Sequence, residues 1–322
     1  MDNIISALNA LKGSVLVLTH HNADIDAIGS ALALSLCLKQ RGVSAKIGVG
    51  ESVSKQAKKL VEGREIIIDP DCSSFDNVIV LDTSSPEQLS TIRNLRVDVL
   101  IDHHEPGKLA DQAKVKLVEK DSKSTAQIIF HIVRGCGFKI DKELASLLMA
   151  GIIADTAHMR LAGKKELETL LELINHGANI EQVIQMIETP VDESERVAGL
   201  KAAMRADAYK LDDIIIVFSK LVSHEAAACR ALVKAGADIA IVAAVKRDEI
   251  RISSRGRQSI EKYGINLADI FREVGELIGG SGGGHAQAGS ANGSKPGEVH
   301  KAFSLILDAV EKKTGKKSKK LE

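Results

Sequence analysis

Short apolar runs, each closed by a polar turn and followed by a helical stretch, constrain this chain more than any other feature. The first is SVLVLT at residues 14–19, too short for a helix and apolar enough to be buried on both faces of a sheet. Residues 27–41 follow with Ile28, Ala31, Leu32, Ser35, Leu36 and Leu38 on one helical stripe, and Gly42 ends it. Comparable runs recur at residues 44–49, 65–68, 78–81 and 97–101, with helical patterns between them at 55–61 and 86–94. Strands that alternate with helices pair in parallel, so the pattern predicts an α/β fold with a doubly wound, mainly parallel sheet.

Helical periodicity then takes over, at residues 127–133, 143–154, 165–175 and 180–188. Pro190 and the charged run Asp192, Glu193, Glu195 and Arg196 predict a solvated helix leading out of the first domain. Strand-like runs resume at 214–218, 239–245 and 245–253. The expected organisation is a domain over 1–190, a linker helix over 191–210, a second, smaller α/β domain over 211–315 and a basic tail over 316–322. That tail is rich in lysine and poor in apolar residues, which predicts a frayed, solvated end.

The chain has 322 residues, room for two domains at ~150 residues each. Its 43 basic and 43 acidic side chains cancel, so any anion site must be local rather than part of a long-range field. Only eight residues are Phe or Tyr and none is Trp, which leaves few rings on which to stack the bases of a long polymer. Cys37, Cys72, Cys136 and Cys229 form no Cys-x-x-Cys pair, arguing against a zinc knuckle or disulfide framework and for the cytosol. No leader or membrane-length apolar run is visible.

Chemistry gathers where strands are expected to end. His20, His21, Asn22, Asp24 and Asp26 fall between the first run and its helix, the edge where doubly wound sheets bind ligands. Alone, this cluster also reads as a helix cap beside surface histidines. Asp82 closes the run at 78–81, Asp102, His103 and His104 close the run at 97–101, and Asp155 follows the apolar stretch 147–154. Turn chemistry does not account for such repetition at one edge. A mixed carboxylate and imidazole set suits Mn²⁺, Mg²⁺ or iron, and it holds more ligands than one ion can use.

The segments HHNADIDAIGS (20–30), LDTSS (81–85), IDHH (101–104) and IIADT (152–156) resemble the four motifs of the DHH phosphoesterase superfamily. ISSRG (252–256) and GGSGGGHAQAG (279–289) resemble its DHHA1 substrate domain. The resemblance implies two divalent ions, Mn²⁺ first and Mg²⁺ or Co²⁺ as alternatives. One would be held by His20, Asp24 and Asp82, the other by Asp26, Asp82, His103 and Asp155, with Asp82 shared. His104 would face the phosphate. Apart from the resemblance, Asp102 is placed to hold an imidazole in its working tautomer. Ala157, His158 and Met159 depart from the motif after Asp155, which bears on the pocket wall rather than on the metal ligands.

In the second domain, Arg255 offers a planar fork to a phosphate, and the backbone N–H groups of the Gly282–Gly284 run, Gly283 and Gly284 included, are expected to converge on an anion beside His285. The compact oligoribonuclease branch of the superfamily is the one this layout resembles. The expected activity is hydrolysis of short oligonucleotides, and of 3′-phosphoadenosine 5′-phosphate. Pyrophosphate or polyphosphate hydrolysis, cyclic-dinucleotide hydrolysis and a non-enzymatic nucleotide-binding module are the alternatives. The expected partners are a short oligonucleotide or nucleotide, with no membrane, and a homodimer as the candidate assembly.

Overall fold

The computed structural model describes residues 1–188 and 192–321, and the chain divides into two units, Met1–Thr189 and Pro190–Glu322. Pro190, the expected start of the boundary, lies outside the described residues. Among those described, no helix is long and apolar enough to cross a membrane.

The first unit begins with α1 (Asp2–Ala10), β1 (Ser14–Thr19), α2 (Ile25–Gln40), β2 (Ser44–Val49), α3 (Lys58–Val61) and β3 (Ile66–Ile68). It continues through β4 (Asn77–Leu81), β5 (Val99–Asp102), α4 (Lys108–Gln112), β6 (Val115–Val118), α5 (Thr125–Gly135), α6 (Lys142–Asp155), α7 (Lys164–Asn175) and α8 (Ile180–Ile187). The sheet order is β3-β2-β1-β4-β5-β6, with every pairing parallel. Strand order reverses between β1 and β4, so loops after these two strands diverge and leave a crevice at their carboxyl ends.

Alternation along the strands sends Val15, Val17, Ile79, Leu81, Val99 and Ile101 to the core shared with α2, α5 and α6. Leu16, Leu18, Val78, Val80 and Leu100 enter a smaller core on the other face. The second face is covered mostly by short segments, and here the sequence expectation for 86–94 fails. Only a 3₁₀ turn, Pro86–Leu89, forms there. Thr91 instead hydrogen-bonds Asp69, and the Asn94 amide donates to Asp71 at 2.9 Å, so polar side chains tie this stretch to the neighbouring loop. The strand β6 was not marked by its sequence: Val115, Leu117 and Val118 are only half-buried at the sheet edge, and Lys116 is exposed between them.

The second unit contains α9 (Glu193–Met204), β7 (Asp207–Leu211), β8 (Ile214–Leu221), α10 (Glu225–Ala235), β9 (Ile239–Val245), β10 (Ile250–Gly256), α11 (Leu267–Leu277), β11 (Gly280–His285), β12 (Ala288–Gly293), α12 (Val299–Thr314) and β13 (Lys319–Lys320). Its sheet runs β11-β12-β10-β9-β8-β7-β13 and is antiparallel except for β8 beside β9. Three sequence expectations change here. The charged helix at the start buries Ala198 and Ala202 with Val217, Ala228, Cys229 and Val242, so it packs within this unit rather than standing solvated. The tail is not wholly frayed, because Lys319 and Lys320 pair with Lys210 and Tyr209.

The third change concerns the glycine run, which forms edge strand β11 instead of an open loop. A Cβ on Gly282 would lie 1.9 Å from the Phe271 carbonyl oxygen of α11, and one on Gly280 1.9 Å from the Asn292 carbonyl oxygen. These glycines let the helix and the neighbouring strand approach the backbone closely.

Candidate metal centre

Six of the side chains expected to bind metal come from separate elements that end at the same crevice. His20 follows β1, Asp24 caps α2 by accepting from the Ala27 N–H at 3.1 Å, and Asp26 lies in that helix's first turn. Asp82 follows β4, His103 follows β5, and Asp155 ends α6. Their ligand atoms form three groups, each within 4.8 Å: His20, Asp24 and Asp82; Asp26, His103 and Asp155; and Asp82, His103 and His104. Asp82 and His103 each take part in two.

Asp26 is fully buried, and the amino end of α5 meets it, with the Thr125 N–H at 2.6 Å from Oδ2 and the Ala126 N–H at 2.9 Å from Oδ1. The helix end supplies donors and a favourable dipole for a buried carboxylate. Thr125 also donates its Oγ1 hydroxyl to Asp82 Oδ1 at 2.7 Å. This residue therefore orients two carboxylates at once, a role the sequence reading missed. The only signal was the Ser124-Thr125 pair immediately before an apolar helix, which reads as an ordinary cap. Gly151 of α6 completes the support: a Cβ there would sit 2.4 Å from Asp26 Oδ1.

The backbone at Asp82 is left-handed, with φ of 63°, and Ala157, His158 and Met159 just after Asp155 have φ of 50°, 57° and 67°. Non-glycine residues in this region carry strain of about 1–3 kcal/mol each, so tertiary contacts must hold them.

Electrostatics identify what the crevice fits. His103 Nε2 is buried without a hydrogen-bond partner, 3.4 Å from Asp82 Oδ1, 3.4 Å from Asp155 Oδ2 and 3.9 Å from Asp26 Oδ2. Burial, followed by the Asp82 and Asp155 charges, holds the Asp26 carboxyl well above its usual range, and burial and Asp82 also raise Asp24. Burial opposes charge on His20, yet its contacts with Asp82 and the His21 carbonyl raise its pKa. His103 is likewise raised by Asp155 and Asp82 against the opposing effect of burial. Metal-free, the site therefore retains protons that cations would displace. The His20 Nδ1 lies 2.8 Å from the His21 carbonyl, which points Nε2 toward Asp82 at 3.6 Å. Carboxylates and imidazoles without thiolates fit a divalent cation, and the orphaned His103 nitrogen supplies the observation specific to this site.

Asp102 and His104 form a dyad beside these ligands, with His104 Nδ1 3.9 Å from Asp82 Oδ1. The His104 Nδ1 lies 2.8 Å from Asp102 Oδ1, which also accepts from the His104 backbone N–H at 3.1 Å. This bond pushes the His104 imidazole up to about 9, while the same contacts outweigh burial and lower Asp102. Asp102 is fully buried, whereas the His104 side chain is 55% exposed, so the imidazole faces out from a fixed anionic support.

Within the second unit, Arg255 and His285 line one cavity of about 440 Å³ with Glu261 and Gln287. The tight loop between β11 and β12, Ala286–Gln287, brings His285 there, and the Gly256 N–H donates to the Gln287 carbonyl at 2.8 Å. Gly283 has open space beside it, but a Cβ on Gly284 would lie 2.0 Å from the Ala288 carbonyl oxygen and its φ is 144°. Gly284 thus serves the hairpin's close backbone geometry, and the run is an edge strand paired on one side only, with β12.

Residues 14–152 match the DHH family, N-terminal domain, and residues 222–312 match the DHHA1 domain. The chain is 34% identical over 308 residues to the uncharacterized protein MJ0988 of Methanocaldococcus jannaschii, covering 93% of this chain and 92% of that protein. The chain belongs to the DHH family of metal-dependent phosphoesterases. Within this DHH family, the bifunctional oligoribonuclease and PAP phosphatase NrnA of Thermus thermophilus is 22% identical over 95% of this chain and 92% of its own length. A probable manganese-dependent inorganic pyrophosphatase of Streptococcus mutans is 26% identical over 44% of this chain and 48% of its own. His20, Asp24, Asp26, Asp82, His103 and His104 thus lie within the DHH match and Asp155 just after it, and Arg255 and His285 lie within the DHHA1 match.

Proposed function

We propose that this protein is a phosphodiesterase that uses two divalent ions, Mn²⁺ foremost, to hydrolyse very short oligonucleotides, with 3′-phosphoadenosine 5′-phosphate as a second substrate. The carrying observation is the shared use of Asp82 and His103 between ligand groups, which supports two adjacent cations rather than one. The first would be held by His20, Asp24 and Asp82, the second by Asp26, Asp82, His103 and Asp155. When bound, such ions lower the pKa of coordinated water and neutralise charge gathering on phosphoryl oxygens.

The chain's own residues perform the remaining work. His104, whose pKa the hydrogen bond to Asp102 raises, donates to a phosphoryl oxygen or gives its proton to the leaving oxygen. Buried Asp102 keeps the ring oriented and stabilises its positive charge. Within the second unit, Arg255 and His285 line a cavity whose donors suit a nucleotide phosphate. Similarity to inorganic pyrophosphatases covers 44% to 62% of the chain, whereas similarity to the oligoribonuclease covers 95% of it.

The test is a substrate panel on metal-depleted protein restored with Mn²⁺, Mg²⁺ or Co²⁺. It contains oligonucleotides of increasing length, 3′-phosphoadenosine 5′-phosphate, cyclic dinucleotides and pyrophosphate. The expected result is the highest kcat/KM on the shortest linear oligonucleotides with Mn²⁺. Equal activity on long single strands refutes the length preference, and faster phosphate release from pyrophosphate refutes the phosphodiesterase reading.

A further inference from the structure

At the opposite side of the second unit's sheet from β11 lies a cavity of about 450 Å³. Its size is within the ~300–1,000 Å³ range of small-molecule pockets. Asp207 and Tyr209 of β7 face the same side of the sheet as Phe218 and Lys220 of β8, because Asp207 pairs with Phe218, Tyr209 pairs with Ile216, and alternate residues share a face. One face of α12 closes the cavity with His300, Phe303, Ser304 and Leu307, and Arg205 at the end of α9 completes it.

Two properties of this lining are unusual for the chain. Three of its eight Phe and Tyr residues meet here: Tyr209 stands edge-on to Phe218 with centroids 5.7 Å apart, and Phe218 lies 4.8 Å from Phe303. Three basic groups also converge. The Lys220 Nζ lies 2.6 Å from His300 Nε2, and among the described residues neither Lys220 nor Arg205 has a carboxylate partner. The one acid in the lining, Asp207, is held at 2.5 Å by Lys320 from the tail strand. The cavity thus presents a wall of rings beside uncompensated cationic donors.

We propose that this cavity is a second nucleotide-binding site, taking the base of a nucleoside 5′-monophosphate against Tyr209 and Phe303 and its phosphate between Arg205, Lys220 and His300. Rings accept any base by stacking, and a phosphate accepts from the Arg205 guanidinium and from the Lys220 N–H groups that the His300 Nε2 does not use. The site is separate from the Arg255 and His285 cavity. His285 is on β11, four strand positions from β8, and Arg255 on β10 pairs through Ala240 with Val217, which puts it on the face of the sheet opposite Phe218 and Lys220. It is independent of the substrate proposed above, since it requires only binding.

Isothermal titration of the full, Mn²⁺-loaded chain with 5′-AMP tests the proposal. His285→Ala removes a donor from the other cavity and is expected to leave a saturable 5′-AMP site. Adding Lys220→Met to that variant is expected to raise the remaining Kd at least tenfold with the thermal unfolding temperature unchanged. Should Lys220→Met unfold the chain, 5′-AMP added to unsubstituted protein is expected to shift the Tyr209 ring resonances, identified by their loss in Tyr209→Phe. Inorganic phosphate is expected to bind at least tenfold more weakly than 5′-AMP. No saturable binding in His285→Ala, an unchanged Kd on adding Lys220→Met, unmoved Tyr209 resonances, or phosphate binding as tightly as 5′-AMP would each overturn it.

Discussion

Thr125 offers the cleanest separation of support from ligation. Thr125→Val deletes the hydroxyl that reaches Asp82 and keeps the backbone N–H that reaches Asp26. Loss of such an orienting bond costs about 10–100-fold in metal affinity or activity. The expected result is a loss of that size, restored by Thr125→Ser, with metal-free unfolding little changed. Equal metal affinity in both variants would deny Thr125 its orienting role. The protonation state of the ligands yields a further expectation at this scale. Asp24, Asp26, His20 and His103 all have raised pKa values without metal, so metal competes with protons, binds more tightly as pH rises and releases protons on binding. The raised carboxyl pKa values also make a stability contribution to the metal-free fold that is present at low pH and fades as pH rises through the folded-state values. Titration of Mn²⁺ at about pH 6 and about pH 8 in buffers of different ionisation enthalpy checks the sign, and pH-independent affinity contradicts it.

At the scale of elements, close backbone approach matters more than flexibility. Gly282 packs under the Phe271 carbonyl, while Gly283 has nothing within 4 Å of a Cβ position. Gly282→Ala should therefore cost about 1–3 kcal/mol through displacement of α11 from β11. Gly283→Ala should stay within ~0.5 kcal/mol in denaturant unfolding. Equal costs would show that packing does not distinguish the two positions. The periodic elements were legible beforehand because burial imposes its period on the sequence: β1, β2, β9 and helices α2, α6 and α7 occur close to where the pattern places them. Elements that depend on partners were not. β11 and β12 are poor in the branched residues that mark strands, and β6 lacks a fully buried face.

For the whole molecule, electroneutrality becomes a statement about salt. A substrate gripped at about two phosphates should lose only about sevenfold in apparent affinity between 50 and 200 mM salt, by the single-strand slope of ~0.7 per contact. KM for a trinucleotide measured across that range is the check, and a loss of a hundredfold or more would reveal an extended basic track. The zero net charge and scarcity of rings point the same way, toward small phosphate-rich ligands.

The sequence by itself determined the parallel first sheet and the residues at its carboxyl edge, because buried strands and charged strand ends leave local, periodic marks. It also carried the motifs of both domains. Only the tertiary structure decided that Thr125 and Gly151 support Asp26, that the glycine run is an edge strand, and that Tyr209, Phe218 and Phe303 meet Arg205, Lys220 and His300. Each of these depends on segments distant in the chain coming within a few ångströms, and hydrophobic periodicity reports which face is buried without reporting what it is buried against.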